Sequence, residues 1–363
     1  MKLKTSNLII ILFIGCYSLY GQSATKVIIV AKVRQISRVT GKSAADEILP
    51  NPNKTDVNYD VGGTDLGIAW DMANGKIGYF FGDTYGRDFK PVAGGGPGEA
   101  GHWRSNVLGI SSDKNLSDGL RFDTMVAREL IPSPHITNGS GSHTTIPTAA
   151  IHANGADFVH FMDVRKWGGP GTWTTNYSAL YRSIDEGMTW SSCPGVRFEA
   201  KSNFSQVAYA KQGDLIYMLG TIAGRFGSAY LARFKQGDIL NQSQYEYWST
   251  TQGWIKGKEG LASPIIDGPI AEASLFYSST LKRWIVTYLN EKKGALVLRE
   301  AVEITGVWSD EKIMVTSKDY PGLYGAFIVP SASVGNKLYF NMSTWFSYNV
   351  FLMEATLKFA DQN

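Results

Sequence analysis

The chain reads as an all-β protein, a five-bladed β-propeller, and three observations predict it. Its apolar runs are short and cut by turn residues, with 39 Gly beside 18 Tyr, 17 Phe and 10 Trp in 363 residues. That is a composition of strands and tight turns rather than of long helices. A unit of apolar strand, tight turn, second strand rich in Tyr and Phe, polar loop and third strand recurs five times. One hairpin also carries a full Asp-box, Ser183-Ile184-Asp185-Glu186-Gly187-Met188-Thr189-Trp190. In that motif Ser and Asp pin a turn and Trp packs between strands, so Asp185 is expected to be structural.

Taken in order, Lys26 to Val33 reads as a strand that precedes the first unit. It is expected to add to the last blade and close the ring, because an unclosed propeller leaves an exposed sheet edge. The hairpins follow at Leu66 to Phe81 around Asn74-Gly75, Thr148 to Met162 around Asn154-Gly155, and Gln206 to Leu219 around Gln212-Gly213. Two more run from Ala273 to Leu289 around Thr280-Leu281 and from Ala326 to Met342 around Gly335-Asn336. Third strands are expected at Asn106 to Ser111, Ser178 to Arg182, Ala229 to Phe234, Ala295 to Val302 and Val350 to Leu357. The spacing is irregular, roughly 45 to 80 residues, as loops inserted on one face would make it.

Upstream of the propeller, Lys2 and Lys4 precede the apolar stretch Leu8 to Ile14 and then small and polar residues through Gly21-Gln22-Ser23. This is the layout of a secretory signal peptide, giving residues 1–21 as signal, 22–363 as a single propeller domain, and a secreted or periplasmic product. Lipoprotein anchoring at Cys16 is the weaker alternative, since Tyr17-Ser18-Leu19-Tyr20 is no polar tether. Cleavage leaves Cys193 as the sole cysteine, so no internal disulfide supports the fold. No later segment approaches the roughly 20 apolar residues of a membrane span, so no integral membrane segment is expected. Lys and Arg number 35 against 32 Asp and Glu, with no basic stripe, and a nucleic-acid partner is excluded.

Inner strands of a propeller start around the central axis, so the polar residue at the mouth of each blade is a candidate for one shared pocket. Those residues are Thr64 and Asp65, Thr145, Gln206, Glu272 and Tyr324. Asp65 in Gly63-Thr64-Asp65-Leu66-Gly67 and Asp83 in Phe80-Phe81-Gly82-Asp83-Thr84 stand at the ends of two adjacent strands. Such a pair of carboxylates suits acid/base work on a sugar, and turn capping is the alternative. Glu272 is expected either at the cleft or ion-paired across the channel, for instance with Arg104. Trp103, Arg104, Asn106, Trp173, Asn176 and Trp345 add rings that stack on sugar faces and planar groups that fork onto hydroxyls. The five His show no metal-ligand spacing, so no metal is assigned, and hydrolysis needs no cofactor.

Together G-T-D-L-G, F-G-D-T, W-R-S-N, the I-P-T segment, G-P-I-A-E-A-S with R-W-I-V-T-Y-L, and Y-G-A-F with S-T-W-F-S-Y resemble a bacterial group. That group is described as domain of unknown function 4185 and classed as glycoside hydrolase family 183, endo-D-arabinofuranases. The similarity runs from about Thr55 to Leu357. It implies a propeller that hydrolyses internal α-D-arabinofuranosyl linkages of mycobacterial arabinogalactan and lipoarabinomannan, with Asp65 and Asp83 as the catalytic pair and Glu272 in a supporting role. Net inversion, a monomer, and carboxyl groups about 6.5–9.5 Å apart are the accompanying expectations. A non-catalytic glycan-binding propeller and a furanosidase acting on another arabinan are the rivals.

Overall fold

The computed structural model describes residues 26–97 and 101–360; the expected signal segment and Cys16 lie outside them. The described chain opens with β1 (Ile28–Arg38) and one single-turn helix (Thr55–Asn58). Blade 1 is β2 (Leu66–Asp71), β3 (Ile77–Phe81), β4 (Val107–Ser111) and β5 (Thr124–Val126). Blade 2 is β6 (Thr144–Ala153), β7 (Ala156–Trp167), β8 (Trp173–Ser183) and β9 (Ser191–Glu199). Blade 3 is β10 (Gln206–Gln212), β11 (Leu215–Thr221), β12 (Ala229–Lys235), β13 (Glu246–Ser249) and β14 (Gly253–Lys256), with β15 (Pro264–Ile266) on β12. Blade 4 is β16 (Ala271–Ser278), β17 (Arg283–Asn290), β18 (Ala295–Ala301) and β19 (Lys312–Thr316). Blade 5 is β20 (Leu323–Ile328), β21 (Lys337–Thr344) and β22 (Asn349–Phe359), and its outermost strand is β1.

Every strand pair is antiparallel, and β1 pairs with β22 from Ile28 opposite Phe359 to Arg38 opposite Phe351. The N-terminal strand therefore ties the start of the chain to its last blade and covers that blade's edge. Ring closure is visible at the axis: β2 touches β6, β6 touches β10, β10 touches β16, β16 touches β20, and β20 returns to β2. The five-bladed propeller is thus the observed fold.

Apolar residues fill both faces of the middle strands because each blade is covered on both sides. Burial is unbroken along Ile77–Phe81, and Tyr79, Phe80 and Phe81 are fully enclosed, each worth about 1.5–3 kcal/mol relative to exposure. The Asp-box locks blade 2 to blade 1. Asp185 accepts from the Thr189 amide at 2.8 Å and bonds the Ser183 hydroxyl at 2.8 Å, while Trp190 Nε1 donates to the Gly187 carbonyl at 2.9 Å. That fixed Trp190 ring lies edge-on to Trp70 and Phe80, at 6.5 and 5.1 Å between centroids. Asp185 is structural, and Cys193 is buried and unpaired.

Four of the five inner hairpins carry a register shift near the start of the inner strand: Leu66/Ile68, Pro147/Ala149, Ala271/Ser274 and Tyr324/Phe327. The β10–β11 pair has none. A bulge re-aims the side chains beside it, so these shifts decide what faces the axis.

Candidate active site

The site is built first by the two segments that lead into and out of blade 1. Gly63 pairs with Tyr85, the Tyr85 amide donates to the Gly63 carbonyl at 2.8 Å, and the hydroxyls of Thr64 and Thr84 meet at 2.7 Å. Asp65 and Asp83 therefore arrive side by side, one just before β2 and one just after β3. Leu66 has φ 70° and Gly67 φ 78°, the left-handed region, so the chain turns sharply after Asp65. The backbone groups freed by that turn are taken up by blade 5: the Leu66 amide donates to Ser343 Oγ at 2.9 Å, and Asn341 Nδ2 donates to the Gly67 carbonyl at 2.7 Å. Glycine at position 82 leaves room for the Asp65 carboxyl where it stands. A Cβ there would stand 2.4 Å from Asp65 Oδ1.

Asp65 keeps part of its surface open to the cavity, and Tyr324 donates its hydroxyl to Oδ2 at 3.0 Å. Its Oδ1 is sealed without a hydrogen-bond partner. Burial, reinforced by the neighbouring Asp83 charge and opposed by the Tyr324 hydrogen bond, pushes the Asp65 carboxyl up to about 8. Asp83 is buried, and its Oδ1 accepts from Trp103 Nε1 at 2.8 Å and from the Thr144 hydroxyl at 2.6 Å. Burial pushes it up too, but those two donors hold it to about 6. The two carboxyls thus share one wall and differ in acidity, Asp65 being the weaker acid.

Both open on a cavity of about 770 Å³, where Gln206, Trp173, Glu272, Tyr324 and Trp345 also lie. Glu272 has φ 48° at the β16 bulge, a strained position for a residue with a side chain. It is held from both sides: Arg225 Nε and Nη2 donate to Oε1 at 3.0 and 2.7 Å, and the Gly325 amide donates to Oε2 at 2.9 Å. Arg225 also reaches Glu291 at 3.3 Å and lies over the Tyr324 ring, 5.3 Å from its centroid. Gln206 Nε2 donates to the carbonyls of Ile222 and Gly224, both at 2.8 Å, which fixes the loop that presents Arg225. Tyr348 lines the cavity as well, and burial, reinforced by neighbouring carboxyl groups, raises the phenols of Tyr324 and Tyr348 well above their ordinary value and keeps them neutral.

Several expected contacts fall elsewhere. Arg104 is buried and donates to the backbone carbonyls of Ala127 and Asp60, so it braces loops and does not pair with Glu272; Arg225 takes that place. Asn106 spends its amide on the carbonyls of Ile131 and Thr145 and on the amides of Leu130 and Ile131. Asn176 donates to Asp163 at 2.8 Å, away from the cavity wall. Trp103 stands behind Asp83 as a hydrogen-bond donor, packed on His135 at 4.0 Å between ring centroids, and offers no face to the cavity. Thr145 turns away to the Ile131 carbonyl, whereas its neighbour Thr144 reaches Asp83. Among the described residues no cluster of His, Cys, Asp or Glu has the geometry to hold a metal ion.

Residues 50–354 match the family described as "Domain of unknown function (DUF4185)". The chain belongs to that family. A fungal relative, Notoamide biosynthesis cluster protein J of Aspergillus sp. (strain MF297-2), is 31% identical over 317 residues, covering 80% of this chain and 81% of its own. Notoamide biosynthesis cluster protein J' of Aspergillus versicolor is 30% identical over 313 residues, covering 80% and 82%. Among solved structures, Zg3597, a family 117 glycoside hydrolase of Zobellia galactanivorans, aligns with TM-score 0.52 at 9% identity over 90% of each chain. A GH43_1 enzyme of Xanthomonas citri aligns with TM-score 0.50 at 10% identity, covering 84% of this chain and 90% of that one. At such identities the likeness is one of fold. All of the DUF4185 chain's cavity residues named above fall within the matched span.

Proposed function

We propose that this DUF4185 protein is a glycoside hydrolase that cuts internal α-D-arabinofuranosyl linkages of D-arabinan, exported by its N-terminal segment. The observation that carries the reading is the pair of carboxyls on one cavity wall, Asp83 buried and Asp65 partly open, whose environments drive their acidities apart. At neutral pH Asp65 holds its proton and Asp83 has lost its own. Asp65 therefore serves as the general acid, passing its proton from Oδ2, the oxygen not sealed against Gly82, to the leaving glycosidic oxygen. Asp83, with Oδ1 occupied by Trp103 and Thr144, uses Oδ2 to take a proton from the attacking water. Water arriving opposite the leaving group gives net inversion.

The other wall residues bind and position. Tyr324 fixes the Asp65 carboxyl, and the Arg225–Glu272 pair fixes Tyr324 in turn. Trp173 and the half-exposed Trp345 lie on the wall as candidate stacking platforms for sugar rings. Solved glycoside hydrolases share the fold, which supports the class of reaction, and the polymer comes from the motif resemblance. Chromatography of an early digest tests the proposal. Short oligosaccharides from purified D-arabinan and none from L-arabinan are expected; monosaccharide as the sole first product would overturn the endo mode, and no product would overturn the substrate.

A second reading has one specific observation behind it. Ile146, Met162, Val207, Leu219, Leu289 and Leu323 give part of the cavity wall an apolar character. A small molecule with an apolar face would gain from it, and the fungal relatives are named for a biosynthesis cluster. Saturable binding of a small apolar probe with no turnover of any arabinan would favour it.

A further inference from the structure

The charges on the cavity wall are lopsided, and that asymmetry restricts what can bind. Among the described residues the wall carries four carboxyl groups, Asp65, Asp83, Glu272 and Glu291, and one cationic side chain, Arg225. That guanidinium is already committed: it meets Glu272 at 2.7 Å and Glu291 at 3.3 Å. Its loop is held by Gln206 and by the Arg225 amide, which donates to the Gly171 carbonyl at 2.9 Å, so it cannot swing away to meet a new anion without breaking two ion pairs. Even with Asp65 protonated, three carboxylates face one cation.

We propose that the cavity selects by charge, accepting an uncharged or cationic sugar-like ligand and rejecting one that bears a carboxylate, sulfate or phosphate. The proposal rests on the reading of this cavity as the glycan site, and it adds the substrate class: neutral glycans, to the exclusion of uronate-containing, sulfated and phosphorylated polymers. An anionic unit would lose its hydration against like charges and find no free cation in return. A ligand cation placed within about 10 Å of one uncompensated carboxylate, at an effective dielectric of about 20, gains about tenfold in affinity.

Calorimetry on the full chain at pH 7 with three probes of similar size tests this directly. The probes are 1,4-dideoxy-1,4-imino-D-arabinitol as the cation, methyl α-D-arabinofuranoside as the neutral sugar, and D-arabinose 5-phosphate as the anion. The cation should bind at least about tenfold tighter than the neutral sugar, and the phosphate at least about tenfold weaker. The Glu291→Gln variant removes a partly exposed charge and should reduce the cation's advantage about threefold or more. Phosphate binding as tight as that of the neutral sugar, equal affinity for cation and neutral sugar, or an advantage unchanged in Glu291→Gln would each overturn the proposal. The charge ranking without cleavage of D-arabinan would keep this inference and sink the hydrolase; cleavage beside tight phosphate binding would do the reverse.

Discussion

Replacing Asp83 with Asn should lower turnover by on the order of 10²-fold or more and yet stabilise the fold, the stabilisation appearing only above a defined pH. In the folded protein the Asp83 carboxyl keeps its proton up to about pH 6, against an ordinary value of 3.8. Between those values the folded state binds more protons than the unfolded chain, so stability falls as pH rises through the window. At about 1.4 kcal/mol per pH unit the full loss is about 3 kcal/mol, complete above pH 6 and absent below 3.8. In the Asp83→Asn variant the side-chain carbonyl oxygen would still accept from Trp103 and Thr144 while the group carries no charge, so the variant avoids that loss. Urea titrations of wild type and Asp83→Asn at pH 3.5 and pH 8 measure it. The midpoints should coincide at pH 3.5 and differ by about 1 M at pH 8, taking a slope of about 3 kcal/mol/M. A variant less stable than wild type at pH 8, or equally shifted at both pH values, would refute the argument that burial strains this carboxylate.

The kcat/KM of the wild type should follow a bell, with limbs near 6 for Asp83 and near 8 for Asp65, read from initial rates across pH 4 to 10. In Tyr324→Phe the loss of the hydroxyl that lowers the Asp65 value should move the alkaline limb upward, while Glu272→Gln, which removes a charge that raises it, should move that limb downward. Trp173→Ala and Trp345→Ala should raise KM for polymer about tenfold and leave kcat on a small activated arabinoside nearly unchanged, since distant sugar units contribute only when they are bound. Asp185→Ala removes the hydroxyl and amide bonds of the Asp-box and should cost about 1–3 kcal/mol in thermal or chemical unfolding with no change in KM.

The propeller was legible in the chain because its signals are local. Strand, turn and strand follow one another within each blade, and the Asn154-Gly155 turn, with both φ positive, is the kind that two adjacent residues announce. The closing role of β1 was legible from the need to cover a sheet edge. Asp65, Gln206, Glu272 and Tyr324 could be grouped because inner strands begin at one axis, and Asp83 because it leaves the strand beside Asp65. Side-chain direction was less legible. The choice between Thr144 and Thr145 turns on a single step of strand alternation, where one residue reverses the face. Arg104 and Asn106 carry the chemistry of ligand binders but serve loop carbonyls, a use that no spacing reveals. Arg225 gives no signal in the sequence, since it stands alone in Gly224-Arg225-Phe226-Gly227, and only the ring brings that loop of blade 3 against Glu272 of blade 4.

The claim that Asp65 and Asp83 are an acid/base pair acting on arabinan is tested most directly by reducing-end release from purified D-arabinan at pH 7, with wild type beside Asp65→Asn and Asp83→Asn. Circular dichroism on each sample establishes that the variants are folded. The account predicts steady release by the wild type and a fall of on the order of 10²-fold or more in both folded variants. Undiminished release by either folded variant would contradict it.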